Sequence, residues 1–216
     1  MRIGLMGGTF NPVHNAHLRI AGQARIACGL DRVIFIPAAD PPHKKLAGDV
    51  PFALRCRMVR LAINGNPFFE LSELEGERSG KSYSIDTIRI IREQMPGDEL
   101  FFIIGGDSFL ELGLWHRYAE IFSSCNLIVF ERPGCIIENP LGALPVVIRG
   151  EFGYDAGSRR LLHNSGHVVH FVPDDPMDVS STEIRRLSAA GKNIDNLVPP
   201  AVAAYISQQR IYNECQ

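Results

Sequence analysis

Apolar runs only three to five residues long, separated by longer stretches in which apolar residues recur every three or four positions, set the pattern of this 216-residue chain. The short runs fall at 3–6, 33–36, 68–71, 100–104, 127–130, 146–148 and 168–172, and read as strands. The periodic stretches at 16–28, 52–64, 84–94, 107–121, 155–163, 181–190 and 199–209 read as helices. A strand that is apolar at every position must be covered on both faces, so the alternation predicts a parallel sheet between two helical layers, a doubly wound α/β domain. Ligands of such sheets sit at the carboxyl ends of the strands, where strand order reverses. The loops that follow the strands therefore carry the functional expectation.

Local chemistry marks several boundaries. Gly29 fits the left-handed position after a helix, Pro96-Gly97 stops another, and Pro199-Pro200 opens the last. No repeat or Pro/Ser-rich linker divides the chain, and one domain over 1–216 is expected. At 45% apolar residues it can bury a core, while its 20 glycines have no period of three. No run approaches the roughly 20 apolar residues of a membrane helix, and no leader-like stretch precedes Gly7, so a cytoplasmic location is expected. Five widely spaced cysteines without a Cys-x-x-Cys pair read as reduced thiols. Net charge is −2, yet residues 1–66 hold nine Lys and Arg against three Asp and Glu. That balance suits a small anionic ligand and disfavours nucleic acid.

The first loop runs Gly7-Gly8-Thr9-Phe10-Asn11-Pro12-Val13-His14-Asn15-Ala16-His17 from the first strand into the first helix. Glycines let the backbone approach a ligand, and the free N–H groups of a helix start suit a phosphate. The spacing is neither the dinucleotide fingerprint nor a Walker A loop. His14 and His17, three apart, share one side of the helix start and can donate to phosphate oxygens. A capping and a packing histidine, or a zinc pair, are the competing readings; the H-E-x-x-H pattern and a nearby third ligand are missing. A second loop, Ser180-Ser181-Thr182 followed by Arg185, combines a helix cap with donors for a polyphosphate.

The first loop resembles the GGTFDPxHxGH signature of the nucleotidylyltransferase superfamily, with Asn11 where Asp is usual and Ala16 where Gly is usual. The second resembles its ISSTxIR signature, with Val179 in the Ile position. Further segments are Pro41-Pro42-His43-Lys44-Lys45, Ser82-Tyr83-Ser84-Ile85-Asp86-Thr87, Gly105-Gly106-Asp107-Ser108-Phe109 and Leu114-Trp115-His116-Arg117-Tyr118. In that order they resemble the bacterial nicotinate-nucleotide adenylyltransferase family over essentially the whole chain.

The resemblance implies a Rossmann-like nucleotidylyltransferase fold with C-terminal helices, and adenylyl transfer from ATP to nicotinate mononucleotide giving deamido-NAD and pyrophosphate. It implies catalytic roles for His14, His17 and Lys44, with ATP on Gly7, Gly8, Thr9, Phe10, Ser180, Ser181, Thr182 and Arg185. The acceptor would take Ser84, Gly105, Asp107, Trp115, His116 and Arg132: Trp115 stacking on the pyridine ring, backbone N–H groups near Ser84 and His116 on the carboxylate, Asp107 on ribose hydroxyls. For Asp107 a helix cap is the alternative, and for Lys44 and Lys45 a solvated pair on a loop. The acceptor phosphate is already anionic, so no side chain must remove a proton; magnesium arrives on the triphosphate and needs no protein cage. Homo-oligomers are compatible with this reading. The alternatives are transfer to nicotinamide mononucleotide or another phosphate acceptor, a class I synthetase-like adenylate former, and a noncatalytic nucleotide sensor.

Two further patterns imitate sites. Gly76 to Ser82 is one residue short of a P-loop, with Glu75 where its first Gly would stand. His163, His167 and His170 invite a metal, but on an extended run the last two face opposite sides, and they read as structural.

Overall fold

The computed structural model describes residues 1–41, 50–132, 134–174 and 177–212. Along the chain run β1 (Arg2–Gly8), α1 (Asn15–Cys28), β2 (Arg32–Pro37), α2 (Phe52–Ile63), β3 (Phe69–Leu71), α3 (Ser84–Gln94), β4 (Glu99–Gly105), α4 (Gly106–Leu110), α5 (Tyr118–Ser124) and β5 (Asn126–Glu131). Then come α6 (Pro140–Ala143), α7 (Val146–Arg149), β6 (Phe152–Asp155), β7 (Arg160–His163), β8 (Val168–Pro173), α8 (Ser181–Ala189) and α9 (Pro200–Gln209). All eight strands join one sheet in the order β3-β2-β1-β4-β5-β8-β7-β6, the first six parallel and the last two antiparallel.

Side-chain alternation divides the core into two layers. Ile3, Leu5, Ile34, Ile36, Phe102, Leu127 and Val129 face α3 and α5, represented by Ile85, Ile88, Ile121 and Phe122. Met6, Val33, Phe35, Phe101, Ile103 and Ile128 face the other way, onto α1, α2, α8 and α9 through Ala24, Met58, Ile184 and Val202. Gly29 ends α1 at φ +59°, the left-handed position where a Cβ is penalised.

Three sequence expectations need correction. Residues 146–148 form the helical turn α7, not a strand: Val146 and Val147 are 76% and 87% exposed, and only Ile148 is buried. Residues 155–163, expected as a helix, are parts of the β6–β7 hairpin. Asp155 Oδ1 accepts the N–H groups of Gly157 and Ser158, making the turn, and β7 then alternates exposed and buried in the period of a strand. The helix expected at 107–121 breaks into α4, a 3₁₀ turn at Leu112–Leu114 and α5, with Arg117 at φ +53° where the last begins. The remaining expected helices are present within a residue or two of their boundaries.

Candidate active site

The chain passes from β1 outward to β2 and β3, then returns to β4 on the other side of β1. This reversal leaves a crevice above the carboxyl ends of β1 and β4. An open cavity of ≈ 670 Å³ occupies it, within the range of small-molecule sites. Gly7, Gly8, Thr9 and His17 line it from the first loop and α1, Ser84, Trp115 and His116 from the later loops, and Gly105 and Arg132 complete the lining.

The first loop is built on a tight bend. Phe10 holds φ +46°, uncommon for an aromatic residue, and its ring is buried against Phe35 with centroids 5.8 Å apart. A side chain at Gly8 would lie 3.2 Å from that ring, so glycine lets the loop fold back over it. Phe10 thus sits under the cavity wall instead of lining it. The Asn11–Pro12 bond is cis.

His14 and His17 stack with ring centroids 3.7 Å apart. The backbone N–H of His14 donates to His17 Nδ1 at 3.2 Å, so this nitrogen carries the lone pair and the proton sits on Nε2. Burial, then the neighbouring His14, then Arg132 hold His17 well below the usual imidazole range. Burial and Arg132 likewise bring His14 to about 4. Both are neutral near pH 7, and His17 is a fixed Nε2–H donor on the cavity wall. His14 is buried beneath it, and its Nδ1 has no hydrogen-bond partner among the described residues.

The second loop packs on the first. Ser180 Oγ caps α8 by accepting the Glu183 N–H at 3.2 Å. Ser181 Oγ donates to the Pro12 carbonyl at 2.9 Å, and Arg185 Nη1 donates to that of Asn11 at 2.8 Å while Nη2 reaches Thr182 Oγ1. The two signature loops are therefore in direct contact. Yet Ser180, Ser181, Thr182 and Arg185 lie outside the cavity wall; Ser181 and Arg185 act on the first loop, while Ser180 and Thr182 act within the second.

Among the later segments α3 begins at Ser84 without a side-chain cap, leaving first-turn N–H groups for an anion. Tyr83 lies on the His116 ring at 4.3 Å, and Trp115 stands edge-on to Phe102 at 6.2 Å with part of its surface open. Asp107 is exposed, outside the wall, and accepts a hydrogen bond from the Cys135 thiol, whose pKa it raises. Lys44, with Pro42, His43 and Lys45, lies outside the described residues.

Sequence reasoning missed Glu75 and Ser82. Buried Glu75 lines the cavity, accepts the Thr87 hydroxyl at 2.6 Å and takes the Ala39 N–H at 3.4 Å. Ser82 Oγ accepts the N–H groups of Ala39 and Asp40, both at 3.0 Å. Together they tie the chain leaving β2 to the start of α3. Ser82 stood in a quoted motif, whereas Glu75 had no signal beyond its place in the false P-loop.

A family model described as cytidylyltransferase-like matches residues 5–187. A protein of Pelobacter propionicus named "Probable nicotinate-nucleotide adenylyltransferase" is 67% identical over 215 residues, covering 100% of both chains. The chain belongs to the nicotinate-nucleotide adenylyltransferase family. A member from Geobacter metallireducens is 57% identical over 212 residues, 98% of each chain. The fold is also that of the Plasmodium falciparum nicotinic acid mononucleotide adenylyltransferase complexed with NaAD, at a TM-score of 0.74 and 18% identity over 98% of this chain and 97% of that one. Among family features, the glycine turn, the histidine pair and the lone tryptophan border one cavity or lie directly beneath it, although they come from distant parts of the chain.

Proposed function

We propose that the protein transfers the adenylyl group of ATP to nicotinate mononucleotide, giving deamido-NAD and pyrophosphate, with 1–216 working as one cytoplasmic nucleotidylyltransferase domain. The observation that carries this reading is the single cavity joining a phosphate-type loop, Gly7 to Thr9 with His17, to a ring-type wall, Ser84 with Trp115 and His116.

Triphosphate oxygens would take the free backbone donors of the first loop and the Nε2–H of His17. A neutral imidazole fixed as a donor does not trade protons with the substrate; it stabilises the charge that grows on the α-phosphate as the acceptor oxygen arrives. Arg132 adds charge to the cavity lining, with Gly105 beside it. The pyridine ring would stack on Trp115, with its carboxylate on the N–H groups opening α3 and those near His116. Ser181 and Arg185 then serve ATP by holding the first loop in shape, with Ser180 and Thr182 supporting them, Asp107 remains a candidate for ribose hydroxyls, and Lys44 a candidate for the leaving pyrophosphate.

No cluster of three His, Cys, Asp or Glu side chains able to hold a metal occurs among the described residues. Magnesium would arrive on the triphosphate, held by phosphate oxygens and water, and would offset their charge. An acceptor panel with Mg-ATP, measuring pyrophosphate release, tests the assignment. Nicotinate mononucleotide should give the highest kcat/KM; a preference for the nicotinamide nucleotide would overturn the acceptor, and release with no acceptor would overturn the reaction.

A further inference from the structure

Arg55, in the first turn of α2, has no exposed surface and heads the fully buried side chains in size. None of the ion pairs among the described residues includes it. Nη1 donates to the Thr9 carbonyl at 2.7 Å and Nε to the Val50 carbonyl at 3.3 Å, while Nη2 has no partner. Cys56, Tyr212 and Glu75 act on it electrostatically, but burial pushes the thiol up to about 11 and the phenol well above its usual range, so both are neutral. Glu75 keeps its oxygens on Thr87 and Ala39. Burying a cation against two carbonyls is expensive, and a packing role would be filled at lower cost by an apolar side chain.

The bond to Thr9 has a geometric consequence. In a trans peptide the C=O and N–H point in opposite directions, so drawing the Thr9 carbonyl toward Arg55 turns the Phe10 N–H away from it. That N–H makes no hydrogen bond among the described residues, and Phe10 holds the left-handed conformation already noted. A side chain other than glycine in that region needs surrounding structure to keep it there. We infer that Arg55 is a positioning residue for the polyphosphate of ATP: it locks the Thr9–Phe10 peptide, and with it Thr9 of the cavity wall, and sets a positive charge behind the loop. This deepens the proposed function and rests on its placing of the triphosphate on the first loop.

Calorimetry on the full-length protein tests it, with the Mg complex of a non-hydrolysable ATP analogue and nicotinate mononucleotide titrated separately into wild type, Arg55→Lys and Arg55→Met. The Met variant should bind the analogue roughly 10- to 100-fold more weakly, the scale of one charge-assisted interaction. The Lys variant should lose less, and acceptor affinity should stay within about twofold in both. Equal losses for both ligands, or a lowered Tm with unchanged analogue affinity, would mean a structural role and overturn the inference. If neither variant folds, the Arg55 guanidinium NMR signals of the wild type decide: a shift with the ATP analogue and none with the acceptor supports the role, and no shift overturns it. A wild type that binds no ATP analogue would instead bring down the functional reading.

Discussion

The histidines at the crevice and those at the antiparallel edge of the sheet share one chemistry and differ in what surrounds them. His14 and His170 are both held at about 4, chiefly by burial. The difference lies in access and in partners. His17 presents a fixed donor to a cavity, with His14 stacked beneath it. His163 is closed in on every side: Nδ1 meets Ser165 Oγ at 2.7 Å, Nε2 meets Glu151 at 3.1 Å, and its ring packs 4.7 Å from that of Phe152. His170 lies 6.0 Å from the Phe101 ring. A depressed pKa therefore does not mark a site here; a depressed pKa beside free space and unfilled donors does.

The largest effect that could break this contrast is on turnover. His17→Ala should lower kcat roughly 10²–10³-fold with an unchanged circular dichroism spectrum, the scale for one preorganised donor; a loss below threefold would remove His17 from the chemistry. Across the cavity, Trp115→Ala should weaken acceptor binding about 10- to 100-fold by analogy with base stacking on aromatic rings, leaving ATP affinity nearly unchanged. Calorimetry giving the reverse order would mean the ring wall is misassigned. At the edge, His163→Ala should leave kcat within about twofold while lowering unfolding stability by roughly 1–3 kcal/mol, the range for stripping partners from buried polar groups. A larger effect on kcat than on stability would erase the distinction between the two clusters.

The smallest effect is on pH dependence. The unfolded chain binds a proton at His14 near 6.5, the folded one only near 4. Stability from this group is therefore fully present above about pH 6.5 and is lost as pH falls toward 4. Urea denaturation across that interval should show a shallower decline for His14→Gln than for wild type. An unchanged slope would mean that His14 titrates normally.

What the sequence disclosed follows from the range of the forces involved. The first loop, the cap at Ser180 and the helix starting at Ser84 are local signals, complete within a few residues. The contact of Ser181 with Pro12 is not local, and neither loop's own pattern announces it. The β6–β7 hairpin was missed because residues 155–163 had to be judged by period alone, while the Asp155 turn and the pairing with β8 decided the outcome. Arg55 and Glu75 were invisible for another reason. Charged residues in a sequence read as surface, and only the packed chain shows that both are buried against the loops they hold.

On the proposed reading the acceptor phosphate attacks the α-phosphorus of ATP within one cavity, and no side chain is adenylylated on the way. Turnover of ATP made chiral at the α-phosphorus with sulfur and an oxygen isotope measures this most directly. A single in-line displacement predicts inversion of configuration in the deamido-NAD product. Retention would require two displacements and an enzyme-bound intermediate, and would rule out direct transfer.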